Sequence, residues 1–172
     1  MENNTLALIL KQLLKNNFGK VFAKGESVTF KENTFYVYNN QTYPKNGHFI
    51  GLFYKRKVLY IFDSLSLNKI PLYLLKKVNH VIPIVKKRLQ SKYTQICGLY
   101  VIYFCCKLYE GYTFKQIMKP FSNFVDRNDT LIFNWYRSNN HFFGKYKKLY
   151  MLNSPHINKT LKTICTKNIL KI

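Results

Sequence analysis

From Ile96 to Cys106 the chain runs for about 11 residues, Ile-Cys-Gly-Leu-Tyr-Val-Ile-Tyr-Phe-Cys-Cys, without a charged side chain. The window Cys97 to Leu108 is apolar on almost every side. It has no face to give to water, so it predicts a helix buried within a domain rather than one lying on its surface. At that length it falls well short of the roughly 20 residues a membrane span requires. A central helix needs apolar material all round it, and the chain supplies this: 47% hydrophobic and 17% aromatic, with 14 Tyr and 14 Phe. That profile excludes a disordered polymer. A length of 172 residues suits one domain with a substantial core and not two, so residues 1–172 are read as a single domain.

The elements around that helix follow from local pattern. Leu6, Ile9, Leu10, Leu13 and Leu14 recur at helical spacing, with Thr5 as a candidate cap and an end near Asn17 and Gly19. Ser27 to Tyr38 is β-branched and aromatic and predicts extended structure broken by a turn at Glu32-Asn33. A polar loop, Asn39 to Gly47, follows. His48 to Tyr54 and Val58 to Phe62, joined by Lys55-Arg56-Lys57, predict a β-hairpin. Pro71 to Val78 predicts a helix, Val81 to Val85 a short strand, and the stretch from Tyr112 another helix carrying Phe114, Ile117 and Met118. Thr130 to Arg137 is an aromatic-rich element, and Ile157 to Ile172 a basic, weakly amphipathic tail.

The charge balance constrains partners. Against 28 Lys and Arg stand 7 Asp and Glu, a formal net charge of +21, which points to a polyanion and above all to nucleic acid. A solvated basic surface without a dedicated partner is the alternative. Lys55-Arg56-Lys57, Lys86-Lys87-Arg88 and Lys145, Lys147 and Lys148 are candidate DNA contacts, each equally readable as a solvated turn. The four cysteines, Cys97, Cys105, Cys106 and Cys165, form no C-x-x-C pair, so neither a zinc site nor a disulfide framework is expected. The first residues lack the basic region of a signal peptide, and their apolar run breaks at Lys11. A soluble intracellular protein with reduced thiols is the expectation.

Within this frame one constellation carries chemistry. A thiol hydrolase needs a thiolate, an imidazole, a group that fixes the imidazole, and donors aimed at the developing oxyanion. Cys97 precedes Gly98 at the start of the buried helix, where unpaired N–H groups and the helix dipole favour a thiolate. Cys105 and Cys106 lie about two turns further along, and they and Cys165 read as packing residues. His48 begins one hairpin strand and Asp63 closes the other, so an antiparallel pairing makes them neighbours, as a base and its orienting carboxylate require. The plainer alternative is a strand-end histidine and a helix-capping aspartate. Gln90, seven residues before Cys97, can return its amide beside the thiol as a second oxyanion donor. His80, His141 and His156 read as structural or surface residues.

The order His48, Asp63, Gln90, Cys97, in the contexts Gly47-His48-Phe49, Phe62-Asp63-Ser64 and Cys97-Gly98-Leu99-Tyr100, resembles the adenovirus protease (adenain) family and the related proteases of polinton-like and adenovirus-like elements. The Gln-to-Cys spacing and Met151-Leu-Asn-Ser-Pro155 are similar too. The same residue order occurs in SUMO-deconjugating proteases, whose acidic motif Phe62-Asp63-Ser64 also resembles. The adenain resemblance implies an α+β fold in which a mixed β-sheet carrying His and Asp packs against the helix that bears Cys, a papain-like core in permuted order. It implies endoproteolysis of viral precursor proteins during particle maturation, with DNA and a short viral peptide as activators. It further implies location in the virion and the host nucleus or assembly site. A monomer without a metal is the default. Adenain holds its peptide through a cysteine upstream of the oxyanion glutamine. This sequence has no cysteine before Cys97, which leaves that covalent route without its anchor.

Overall fold

The computed structural model describes residues 2–42, 47–67 and 70–139; the expectations for Cys165, His141, His156, Lys145, Lys147, Lys148 and the basic tail lie outside them. The chain opens with helix α1, Asn3–Leu14, which buries Leu6, Ile9, Leu10 and Leu14 as the spacing predicts. Thr5 does not cap it. Glu2 stands at the N-cap, without a side-chain bond, and Thr5 is buried in the first turn. A 3-10 turn, Lys15–Asn17, leads directly into strand β1, Phe18–Ala23. The sequence pattern did not predict this strand, because Gly19 and Lys20 interrupt its apolar alternation and its pairing register shifts between Phe18 and Val21.

Strand β2 is Thr34–Asn39, entered through a turn at Glu32-Asn33 in which Asn33 takes a left-handed φ of 53°. The predicted extension from Ser27 carries no strand, since both edges of β2 are taken by β1 and the following strand. The hairpin comes next: β3, Phe49–Lys55, and β4, Val58–Phe62. Arg56 and Lys57 both have positive φ, 51° and 61°. That is the two-residue turn whose twist matches an antiparallel pair. Helix α2 shrinks to Leu72–Leu75, with only Leu74 buried, because the predicted span lacks a continuous apolar stripe. Strand β5 is His80–Pro83, starting one residue and ending two residues earlier than expected, and Val85 beyond it is fully buried. Helices α3, Cys97–Tyr109, α4, Phe114–Met118, and α5, Val125–Ser138, are the remaining elements among the described residues. Thr113 and Gln116 form a reciprocal capping box on α4.

The five strands form one mixed sheet in sequence order, parallel at both outer pairs and antiparallel between β2, β3 and β4. Successive side chains point to opposite faces. Phe35, Val37, Phe49, Phe53 and Phe62 therefore join the helices in one core. Tyr36, Tyr38, Ile50, Leu52, Leu59 and Ile61 join Val28 and Leu74 in the other. Helix α3 packs against β3 on one side and α1, α4 and α5 on the others, the buried placement its composition predicts. A Cβ on Gly51 would sit 3.3 Å from the Phe104 ring and 3.5 Å from Val101, so a glycine in β3 lets the helix lie close to the sheet. The architecture is α+β.

Candidate active site

His48 stands immediately before β3, and Asp63 immediately after β4. The pairing of Gly51 with Phe62 brings these two ends of the hairpin together. The His48 ring Nε2 lies 2.6 Å from Asp63 Oδ1. The carboxylate is fully buried and fixed by its own turn: the Leu65 N–H donates to Oδ1 and the Leu67 N–H to Oδ2, each at 2.9 Å. His48 is held by its backbone, whose N–H donates to Asn40 Oδ1 at 2.8 Å while its carbonyl accepts the Asn40 N–H at 3.1 Å. A Cβ at Gly47 would run into the side-chain oxygens of Asn39 and Asn40, so a larger residue there would have to displace the side chain that holds the His48 N–H.

Cys97 is the first residue of α3 and is almost wholly buried. The His48 side chain and the Phe49 backbone N–H lie close enough to its thiol to favour the thiolate. Burial pushes the thiol up, but the His48 hydrogen bond and positive charge outweigh it, and the thiol ends below its ordinary 9.0. Burial likewise lowers His48, yet hydrogen bonds to Asp63 and Cys97 and their charges raise it from 6.5 to about 9. Both shifts run in the direction that favours a thiolate beside an imidazolium. With Nε2 engaged by Asp63, Nδ1 is the nitrogen that serves the thiol. Cys105 and Cys106 differ in kind: burial without a cationic neighbour of comparable effect raises both, Cys106 to about 12.

Gln90 is 2% exposed and lies in the segment between β5 and α3. Its amide accepts from the Ser64 hydroxyl at 2.7 Å and donates to the Thr94 carbonyl at 2.6 Å. Ser64 follows Asp63 in the chain, so the glutamine is tied to the same turn as the Asp63 carboxylate. A carboxamide has two N–H donors, and the Thr94 carbonyl takes one. The Cys97 and Gly98 N–H groups, in the first turn of α3, have no intrahelical acceptor.

Four further residues hold this segment; Asn128 and Asp129 escaped the sequence reading, and Ser64 and Tyr100 entered it only as parts of the contexts around Asp63 and Cys97. Asn128 Nδ2 donates to the Leu89 carbonyl at 3.1 Å; the Tyr100 hydroxyl oxygen also lies 3.1 Å from that carbonyl, but its one proton goes to the closer Asp129 Oδ1 at 2.7 Å. The Ser64 carbonyl accepts the N–H groups of Leu89 and Gln90 at 2.8 and 3.0 Å. Asp129 accepts from Ser91, Thr94 and Tyr100. A signal for Asp129 existed: Ile132, Phe133 and Tyr136 lie three, four and seven residues after it, which puts an acid on the apolar stripe of a helix.

The basic segments do not share one end of the sheet. Lys55, Arg56 and Lys57 are exposed at the hairpin turn, whereas β4 and β5 run parallel, with Val58 beside His80 and Ile61 beside Pro83. Lys86, Lys87 and Arg88, also exposed, therefore follow β5 at the end where Asp63 lies. The length of β4, roughly 15 Å at ~3.3 Å per residue, separates the two. His80 is exposed at the start of β5. A cavity of about 470 Å³ lined by Phe53, Lys55, Arg56, Tyr60, Tyr112 and Phe114 among others opens at the hairpin-turn end, away from the thiol. Among the described residues no group of His, Cys, Asp and Glu is placed to hold a metal ion, and no helix is long and apolar enough to cross a membrane.

No protein-family model matches the chain, and no curated protein shows significant similarity to it.

Proposed function

We propose that this chain is a cysteine endopeptidase of the adenovirus-protease type, acting on precursor proteins during assembly of a virus or virus-like element. One arrangement carries the reading: a single imidazole joined to a buried carboxylate on one side and to a thiol at a helix N-terminus on the other. Cys97 attacks the scissile carbonyl as the thiolate, and Asp63 keeps the His48 ring oriented. The Cys97 N–H and the second N–H of Gln90 stabilise the oxyanion. His48 protonates the leaving amine, and water then hydrolyses the acyl-enzyme. Loss of the Gln90 amide should cost on the order of 10²–10³ in rate. Double-stranded DNA is the proposed polyanionic activator, in keeping with the +21 charge, and a virion or nuclear location goes with it.

The test begins with the thiol. A limiting amount of iodoacetamide at neutral pH, with and without double-stranded DNA, should label Cys97 ahead of Cys105, Cys106 and Cys165, and His48→Ala should abolish the preference. Cleavage of Gly-containing precursor peptides in preference to a ubiquitin-like fusion separates the maturation protease from a deconjugating enzyme. If Cys97 reacts no faster than Cys165, the protease reading fails and a basic DNA-binding protein takes its place.

A further inference from the structure

We infer that Asp129 is a positioning residue for the oxyanion side of the active site, acting from α5 through the 89–94 segment that carries Gln90. The inference rests on the proteolytic reading above. Asp129 is 2% exposed, and its hydrogen bonds go to neither the thiol, the imidazole nor the Gln90 amide. They instead join the two elements whose relative position sets the distance from Gln90 to Cys97. Oδ2 accepts the Thr94 hydroxyl at 2.8 Å and the Ser91 N–H at 3.3 Å; Oδ1 accepts the Tyr100 hydroxyl, on α3, at 2.7 Å. Thr94 in turn presents the carbonyl that takes one Gln90 N–H. The chain of hydrogen bonds therefore runs from α5 to Asp129, to Thr94, to the proposed oxyanion donor. Tyr100, one turn below Cys97, ties the same carboxylate to the nucleophile helix.

A buried carboxylate is a costly way to hold a loop. Burial, opposed by those three bonds and reinforced by Asp126, raises Asp129 from 3.8 to about 6. The groups that face it are Ser91 and Thr94 from the segment, Tyr100 from α3 and Asp126 from α5 itself. What the charge secures is acceptor capacity. A carboxylate has two oxygens and no donor, so it meets three donors at once. An asparagine in the same place turns an N–H₂ against at least one of them.

Asp129→Asn and Tyr100→Phe are compared with the full-length protein on a peptide substrate and, separately, by alkylation of Cys97. Alkylation builds no oxyanion, so it reads the thiolate–imidazolium pair alone. Positioning predicts that kcat falls about ten- to hundredfold, the scale of a charged hydrogen bond. It also predicts that KM and the pH profile of alkylation stay within about twofold. In wild type the acid limb of kcat carries a component near 6 that is missing from the alkylation profile and from Asp129→Asn. Combined with Gln90→Ala, Asp129→Asn should add little further loss, because both act on one donor. Equal loss of kcat and alkylation, full additivity with Gln90→Ala, or unchanged kcat in both variants would overturn the inference while leaving the protease reading intact. A wild-type protein with an unreactive Cys97 and no peptide cleavage removes both.

Discussion

At the scale of single residues, the imidazole decides what the site can do. His48 reaches about 9 only because Asp63 and Cys97 together outweigh the burial that would lower it. A group whose folded value lies above its unfolded one stabilises the fold fully below the unfolded value. That contribution is lost as pH rises through the folded one. For His48 the window runs from 6.5 to about 9. Cys97, shifted down from 9.0, behaves in the opposite sense: its contribution is present above 9.0 and is lost as pH falls through its depressed folded value. The ion pair is thus bounded on the alkaline side by His48 and on the acid side by Cys97. An NMR titration of the His48 ring should give a midpoint near 9 in wild type, and Cys97→Ala and Asp63→Asn should each move it down toward 6.5. A midpoint unmoved by Asp63→Asn would mean that the 2.6 Å contact does not hold the ring in solution.

At the scale of elements, what could be read from sequence was what local pattern encodes. The apolar helix α3, the α1 stripe and the β3–β4 hairpin each announce themselves within about a dozen residues. The hairpin alone brings His48 and Asp63 together. Strand β1 was hidden because an edge strand with Gly19 and Lys20 exposed has no alternation to show. Asp129 was hidden because the aromatic stretch begins only at Thr130, five residues after the true start of α5 at Val125, and because its partners lie 29 to 38 residues away. The packing of α3 on β3 is where element geometry becomes chemistry. Gly51 is three residues beyond His48 on the strand side, and Phe104 two turns beyond Cys97 on the helix side. Gly51→Val adds a side chain where a Cβ already meets Phe104 at 3.3 Å. Such overpacking costs ~1–3 kcal/mol, measurable by urea denaturation. The helix should relax away from the strand, so Cys97 alkylation at neutral pH should slow as well. Reduced stability with undiminished alkylation would show that the thiol and imidazole are held independently of this packing.

At the scale of the whole molecule, a charge of +21 is a standing cost, because like charges repel in the compact state. A bound polyanion relieves that repulsion and binds the folded chain with strong salt dependence. The two exposed basic segments of the described fold sit roughly 15 Å apart, beyond the ~10 Å screening length at 0.1 M salt. Substitutions in the two should therefore act independently. If DNA engages both, replacing Lys86, Lys87 and Arg88 by serine should flatten the plot of log affinity against log salt. The expected change is about 0.9 for each phosphate that is no longer neutralised. Replacing Lys55, Arg56 and Lys57 should flatten it further by a separate increment, and the variant carrying both sets should show the sum. Fluorescence anisotropy with a short duplex between about 50 and 200 mM salt covers the range over which such binding changes by orders of magnitude. A slope unchanged by either triple substitution would mark that segment as a solvated turn. Because Lys86, Lys87 and Arg88 lie at the Asp63 end of the sheet, their substitution is also the one expected to weaken the effect of DNA on Cys97 labelling.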